Sequence, residues 1–228
     1  MRPKKTLLSW SSGKDCAWAL YKLLHQVEIE VVGLLTSFSR DADSVAMHGV
    51  GRELVRVQAD AIDLPLWEVD LPWPCSNIEY EKQMKLGFAK ARKSGVTHIA
   101  FGDLFLEDVR DYRIKMLEGT GLTPLFPIWC GEKSTVALAN EMIDSGFCSR
   151  IVCVDPNQLD SRFVGREFDR QLLREIPSTV DPCGEKGEFH TFCHSGPIFK
   201  KSIILQNEGV EDRDGFCFMR IRIGVDRI

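Results

Sequence analysis

A chain of 228 residues with 44% hydrophobic and 27% charged residues has the composition of an ordinary globular protein, with room for one large domain and a sizeable core. Its net charge of -4 argues against a surface that coats nucleic acid, because holding a phosphate backbone needs clustered Lys and Arg. No stretch approaches the roughly 20 apolar residues of a membrane span, and the start, MRPKKTLLSWSSGKD, turns polar too early for a signal peptide, so a cytoplasmic location is expected. The eight cysteines form no CxxC pair and several sit in apolar runs, as buried reduced thiols do.

Thr6 to Trp10 reads as a strand, SSGKDC as a loop, and the segment to Leu24 as a helix. Ile29 to Thr36 suits a strand buried on both faces, and a polar connection through Met47, His48 and Gly49 leads to a helix over Gly51 to Asp63. Leu66 to Leu71 is a third strand, closed by Pro72 and Pro74. Ser76 and Glu79 form a capping box before a helix that ends at Gly95, and Thr97 to Phe101 is a fourth strand running into Gly102 and Asp103. A helix with early acidic residues Glu107, Asp108 and Asp111 follows, then a strand over Leu125 to Trp129 and a helix from a Ser134 cap to Gly146. Ile151 to Asp155 is a further strand, and Val164, Phe168, Leu172 and Ile176 mark a helix face. Lys201 to Gln206 and Phe216 to Ile223 read as antiparallel strands. Strand and helix alternate without a hairpin signal, so the expected fold is α/β, an open parallel sheet with helices on both faces, plus a smaller C-terminal α+β part. The division expected is 1–130 for nucleotide binding and 131–228 for the substrate side.

The loop after the first strand opens a helix, whose first N–H groups lack internal partners and whose dipole favours an anion. Gly13 lets backbone come close and Lys14 adds a point charge, although a plain turn and helix cap need the same residue types. The loop does not match GxxxxGK(S/T), which argues against kinase-type transfer. Ligands of open parallel sheets gather where strand order reverses, and Gly102-Asp103 follows another strand there. Asp103 is thus a candidate for holding Mg²⁺ against a polyphosphate or touching the nucleotide, with helix capping as its plain alternative. Arg110 and Arg113 share a helix face and suit a carboxylate or phosphate clamp, or else solvated ion pairs with their acidic neighbours. His48 is either a crevice residue or a loop histidine without a role. Gly184 to His190, GEKGEFH, offers Glu185, Glu188 and His190 in a segment without apolar periodicity, where glutamates can bind metal, orient an amine or act as a base. Cys183, His190, Cys193 and His194 match no zinc spacing.

Taken in order, these motifs form a resemblance. SSGKDC is similar to the SGGxDS pyrophosphate loop of PP-loop ATP pyrophosphatases, within the adenine nucleotide alpha hydrolase-like fold. GVTHIAFGDLFLEDVRDYR, LTPLFPIW and DPCGEKGEFHTF resemble the further motifs of the diphthine-ammonia ligase family, so that the likeness runs from Leu7 to about Phe199. The resemblance implies an AMP-forming, ATP-dependent ligase: a carboxylate attacks the α-phosphate, pyrophosphate leaves, and ammonia displaces AMP to give an amide. By the same resemblance Ser11, Ser12, Gly13, Lys14, Asp15 and Cys16 would hold the nucleotide's pyrophosphate, with Asp15 the candidate magnesium ligand. Gly102 and Asp103 would line the nucleotide side. Glu185, Glu188 and His190 would face acceptor or ammonia, with His48, Arg110, Arg113 and Gly184 on the substrate side.

Three departures bear on this. Ser12 stands where the family has a second Gly, at a cost of roughly 1 to 2 kcal/mol if the backbone there is left-handed. Cys16 replaces a closing Ser, a weaker donor. GEKGEFHT replaces GEGGEYET or GEGGEFET, as expected of bacterial relatives, which leaves the acceptor open between diphthine and another carboxylate such as a cobalamin-related acid. Two other functions are compatible with the residues: a nucleotide-binding sensor without turnover, and sulfur transfer to RNA through Cys16, Cys130 and Cys183. The oligomeric state stays open, a homo-oligomer included.

Overall fold

The computed structural model describes residues 2–45 and 48–224, so Met47 and residues 225–228 lie outside the described residues. The first part of the chain runs β1 (Lys4–Ser9), α1 (Lys14–Leu24), β2 (Ile29–Ser39), β3 (Ser44–Val45), α2 (Arg52–Ile62) and β4 (Leu66–Leu71). It continues with α3 (Asn77–Lys93), β5 (His98–Ala100), α4 (Glu107–Leu117) and β6 (Thr123–Leu125). Strands β4, β2, β1, β5 and β6 lie side by side in that order and all parallel, with β3 clipped antiparallel to the end of β2. The chain builds outward from β1 through β2 to β4, then returns to place β5 on the other side of β1. Strand order therefore reverses between β1 and β5, where such sheets bind ligands.

Each central strand buries both faces, which is why its sequence is a continuous apolar run. Leu7, Leu35, Ile99 and Phe101 point to one face and pack on Met84, Phe88 and Ala91 of α3 and on Met116 and Leu117 of α4. Leu8, Leu34 and Ala100 point to the other and meet Ala17, Trp18 and Leu20 of α1 and Leu54, Val55 and Ile62 of α2. The expected sheet with helices on both faces is what forms.

The rest comprises α5 (Thr135–Asp144), β7 (Cys148–Val154), α6 (Arg170–Glu175), β8 (Phe189–Ser195), β9 (Leu205–Arg213) and β10 (Phe216–Ile223). These strands make a second, antiparallel sheet in the order β8-β7-β10-β9. Ile151 and Val152 of β7 and Phe189 and Phe192 of β8 join the same core as α1, which is thus covered by the first sheet on one side and the second on the other.

Several local expectations are corrected. The strand placed over Leu125 to Trp129 stops at Leu125, because Trp129 turns back to donate to the Phe126 carbonyl and Cys130 then donates to Leu104. The helix face read through Val164 to Ile176 is helical only over Arg170–Glu175. Ahead of it the N–H groups of Gly165 and Phe168 bond along β7, to Ile151 and Ser149, which an α-helix would not allow. Ser134 makes no side-chain cap, and Thr135 instead bonds back to Glu132. The strand placed at Lys201 to Gln206 begins at Leu205. GEKGEFH is only partly a loop, since Phe189 and His190 already belong to β8.

Candidate active site

The apolar run of β1 ends in a loop that must turn sharply into α1. Ser12 makes the turn with φ of 73°, in the left-handed region, and is fully buried. Its carbonyl accepts from the Cys193 N–H at 2.9 Å and from Gln58 Nε2 at 3.0 Å. A Cβ on Gly13 would lie 3.2 Å from the Thr191 carbonyl and 3.3 Å from the His48 ring, so β8 and the loop approach at a distance suited to glycine. Lys14, the first residue of α1, donates its N–H to Thr191 Oγ1 at 3.0 Å.

Across the sheet, the end of β5 meets the same helix start. A Cβ on Gly102 would sit 3.1 Å from the Asp15 carbonyl carbon and the Cys16 nitrogen. The two segments that follow β1 and β5 are in direct backbone contact. Between them and the second sheet is a cavity of about 240 Å³, lined by Ser11, Lys14, Asp15, Cys16, His48, Gly102, Asp103, Arg113, Gly184, Glu185, His190 and Thr191. Of the residues singled out from sequence, Ser12 and Gly13 lie behind this lining, and Arg110 and Glu188 face elsewhere.

Lys14 is 2% exposed, and its ammonium contacts both Asp15 oxygens, at 2.9 and 3.1 Å, and the Cys183 carbonyl. Phe168 and Phe189 present ring faces to it at 5.3 and 5.4 Å. Burial pulls the Lys14 pKa down, but Asp15 outweighs it and holds the group above its ordinary value. The cation is permanent. Glu185 accepts the Leu104 N–H at 2.8 Å and is pushed up to about 7, first by burial and then by repulsion from Asp15. Elsewhere on the cavity wall, Arg113 Nε reaches Asp103 at 3.4 Å and the guanidinium lies over Phe101.

The His48 and His190 rings pack together, tilted by 34° with centres 4.6 Å apart. Burial, then the Lys14 charge, lowers His190 to about 4, and burial with the neighbouring His190 takes His48 well below its usual value. Both rings are neutral at pH 7. Among the described residues, His190 Nε2 is buried without a hydrogen-bond partner.

Arg110 turns away from the cavity and lies over Trp129 and Phe126, at 4.7 and 5.4 Å. Among the described residues neither Arg110 nor Arg113 pairs with Glu107, Asp108 or Asp111. Glu188 is 2% exposed, and its two oxygens accept the N–H groups of Asp181 and Lys186 at 2.8 and 2.9 Å. Its carboxylate shapes the loop that presents Glu185.

Two family models cover nearly the whole chain: the diphthamide synthase N-terminal domain matches residues 4–124 and the diphthamide synthase C-terminal domain matches residues 134–225. The chain belongs to the diphthamide synthase family. Among its relatives, diphthine-ammonia ligase of Schizosaccharomyces pombe is 26% identical across 93% of this chain, which spans 38% of that longer protein. The enzymes of the same name from Bos taurus and Homo sapiens are 29% and 26% identical, across 91% and 88% of this chain and 85% and 82% of their own length.

As a member of the diphthamide synthase family the chain is an enzyme of the ATP-dependent ligase type. Among the described residues no three His, Cys, Asp or Glu side chains, those of Cys183, His190, Cys193 and His194 included, converge as a metal-ligand cluster. Asp15 and Asp103 bring carboxylate oxygens to the cavity wall, a donor type that fits magnesium held mainly by water and phosphate oxygens. Sulfur chemistry is disfavoured. Burial pushes the Cys16 thiol up to about 11, where it donates to the Gly13 carbonyl at 3.0 Å, and burial also raises Cys130 and Cys183. Among the described residues no helix is long and apolar enough to cross a membrane.

Thr191, Asp181 and Gln58 support the site and escaped the sequence reading. Gln58 left a signal, a polar residue on the helix face between Leu54 and Ile62. Asp181 bonds the N–H groups of Cys183 and Glu185, a turn that composition alone does not reveal.

Proposed function

We propose that this cavity adenylates a carboxylate and converts it to an amide, as the name of the relatives, diphthine-ammonia ligase, suggests. The observation that carries the reading is Glu185 facing the SSGKDC helix start across a cavity whose only buried ammonium is Lys14 among its lining residues. In the first step an acceptor carboxylate oxygen bonds to the α-phosphorus of ATP and the bond to the β-phosphate oxygen breaks. The first-turn N–H groups of α1 and Lys14 then stabilise the charge gathering on the departing pyrophosphate. Magnesium, when bound with ATP, spreads that charge further. Asp103 and Arg113 hold the nucleotide side, Arg113 being kept in place by Asp103 and Phe101.

In the second step ammonia bonds to the acyl carbon and AMP leaves. Ammonium must first lose a proton, and Glu185, poised near 7, takes it. The neutral His48 and His190 rings wall the acceptor side without competing for that proton. Glu188 acts indirectly, by holding the 181–188 turn. The acceptor is a carboxylate, diphthine or a smaller acid, and the free cysteines suit a reducing compartment such as the cytoplasm. Incubation with ATP, magnesium, ammonium and a panel of carboxylates, diphthine-bearing elongation factor included, should yield AMP and pyrophosphate. ADP and phosphate as the sole products overturn the reading.

A further inference from the structure

Gln58 is wholly buried on the core side of α2, where an unpaired amide is costly. It is fully paired instead. Its Oε1 accepts from the Trp10 indole at 3.0 Å, and its Nε2 donates to the Ser12 carbonyl at 3.0 Å and to the Cys193 carbonyl at 2.6 Å. The Cys193 N–H bonds the same Ser12 carbonyl at 2.9 Å, so two donors hold one oxygen. Trp10 is itself fixed, its N–H on Leu35 and its carbonyl on Thr36 Oγ1. One side chain thereby joins the end of β1, the left-handed turn at Ser12 and strand β8.

The peptide between Ser12 and Gly13 is planar and trans, so its C=O and N–H point in opposite directions. Anchoring the Ser12 oxygen toward α2 and β8 aims the Gly13 N–H to the other side. Were the peptide to rotate, the carbonyl dipole would turn toward the anion site and repel it. A left-handed residue other than glycine is under strain, and the strain persists only where surroundings hold it.

We propose that Gln58 is a positioning residue of the anion loop, clamping the Ser12 carbonyl so that the loop presents N–H groups to pyrophosphate. The inference rests on the reading of SSGKDC as a pyrophosphate cradle. No polar atom of Gln58 is free for a ligand, so it acts through the Ser12–Gly13 peptide alone.

Titration of the full-length protein with magnesium pyrophosphate by calorimetry tests the clamp. Gln58→Met keeps the length of the side chain and removes both donors, and should weaken pyrophosphate about tenfold, the equivalent of one well-placed hydrogen bond. Leu54→Ala, on the same helix face and also buried, controls for lost packing and should bind pyrophosphate like the parent protein. If Gln58→Met does not fold, Trp10→Phe removes the N–H that pins the amide and should weaken pyrophosphate about threefold. Parent-like affinity in whichever of Gln58→Met or Trp10→Phe is folded overturns the clamp, as does an equal loss in Leu54→Ala. A parent protein that binds no pyrophosphate would instead overturn the cradle reading itself.

Discussion

Glu185 accepts the backbone N–H of Leu104 at 2.8 Å, a bond from the loop ahead of β8 to the segment that follows β5. The second sheet is thus tied to the first through a residue that lines the cavity. Thr191, bonded to the Lys14 N–H, makes the corresponding tie on the other side. The cavity is closed by the packing of two sheets around α1.

Glu185 should govern the pH dependence of turnover. As a base it must be ionised, so with a pKa of about 7 the rate should climb with pH through that value and level above it. Glu185→Gln keeps an acceptor for Leu104 but cannot take a proton, and should lower kcat by about 10²-fold or more and abolish the rising limb. Stability moves oppositely. The folded state holds this proton up to about 7 against 4.5 for the free group, so parent stability is lost as pH rises from 4.5 through 7. Glu185→Gln should therefore melt above the parent at pH 8 and level with it near pH 4.5. Melting curves at both values decide.

Lys14→Met should damage the fold as well as the chemistry. The substitution leaves the Asp15 carboxylate, only 25% exposed, facing Asp103 and Glu185 without its cation. Breaking such a pair costs about 2 to 4 kcal/mol, the lower end reflecting the residual solvent contact. Denaturant unfolding measures it, and a loss below 1 kcal/mol (about) would show that Asp15 is relieved by protonation or water.

The β1-loop-α1 unit was legible because an apolar run, a polar loop and an amphipathic helix follow one another, and Gly102 because it follows a buried strand. Strand β8 was hidden: Phe189, Phe192 and Cys193 serve the core while His190 and Thr191 serve the cavity, so no simple alternation appears. Glu185 and Glu188 look alike in sequence. Only the backbone N–H groups of Asp181 and Lys186 separate the buried anchor from the cavity residue. Arg110 and Arg113 share a helix face, yet Phe126 and Trp129 capture the first, and neither ring was expected to lie in a turn.

That division between the arginines is testable. Arg113→Lys loses the Nε–H that meets Asp103 and the planar guanidinium over Phe101, and should raise the KM for ATP about tenfold with a smaller change in kcat. Arg110→Met gives up its place over two rings and should lower stability by about 1 kcal/mol while leaving that KM alone. Steady-state kinetics and melting curves on the two variants check both halves, and a raised KM in Arg110→Met alone would reverse the assignment.

Ser12→Gly should stabilise the protein. A non-glycine residue at φ of 73° pays about 1 to 2 kcal/mol for its conformation, and glycine gives back about 0.5 to 1 through a more flexible unfolded chain. The Ser12 hydroxyl is also buried without a partner among the described residues, a further cost that glycine removes. The net gain of about 1 kcal/mol corresponds to a rise of about 2 to 4 °C in Tm for a chain of this size. The carbonyl held by Gln58 and Cys193 is backbone and stays, so the KM for ATP should not change. A Tm that rises together with the KM would mean that the unpartnered Oγ contacts the bound phosphates, and that the strain at Ser12 is kept for that contact.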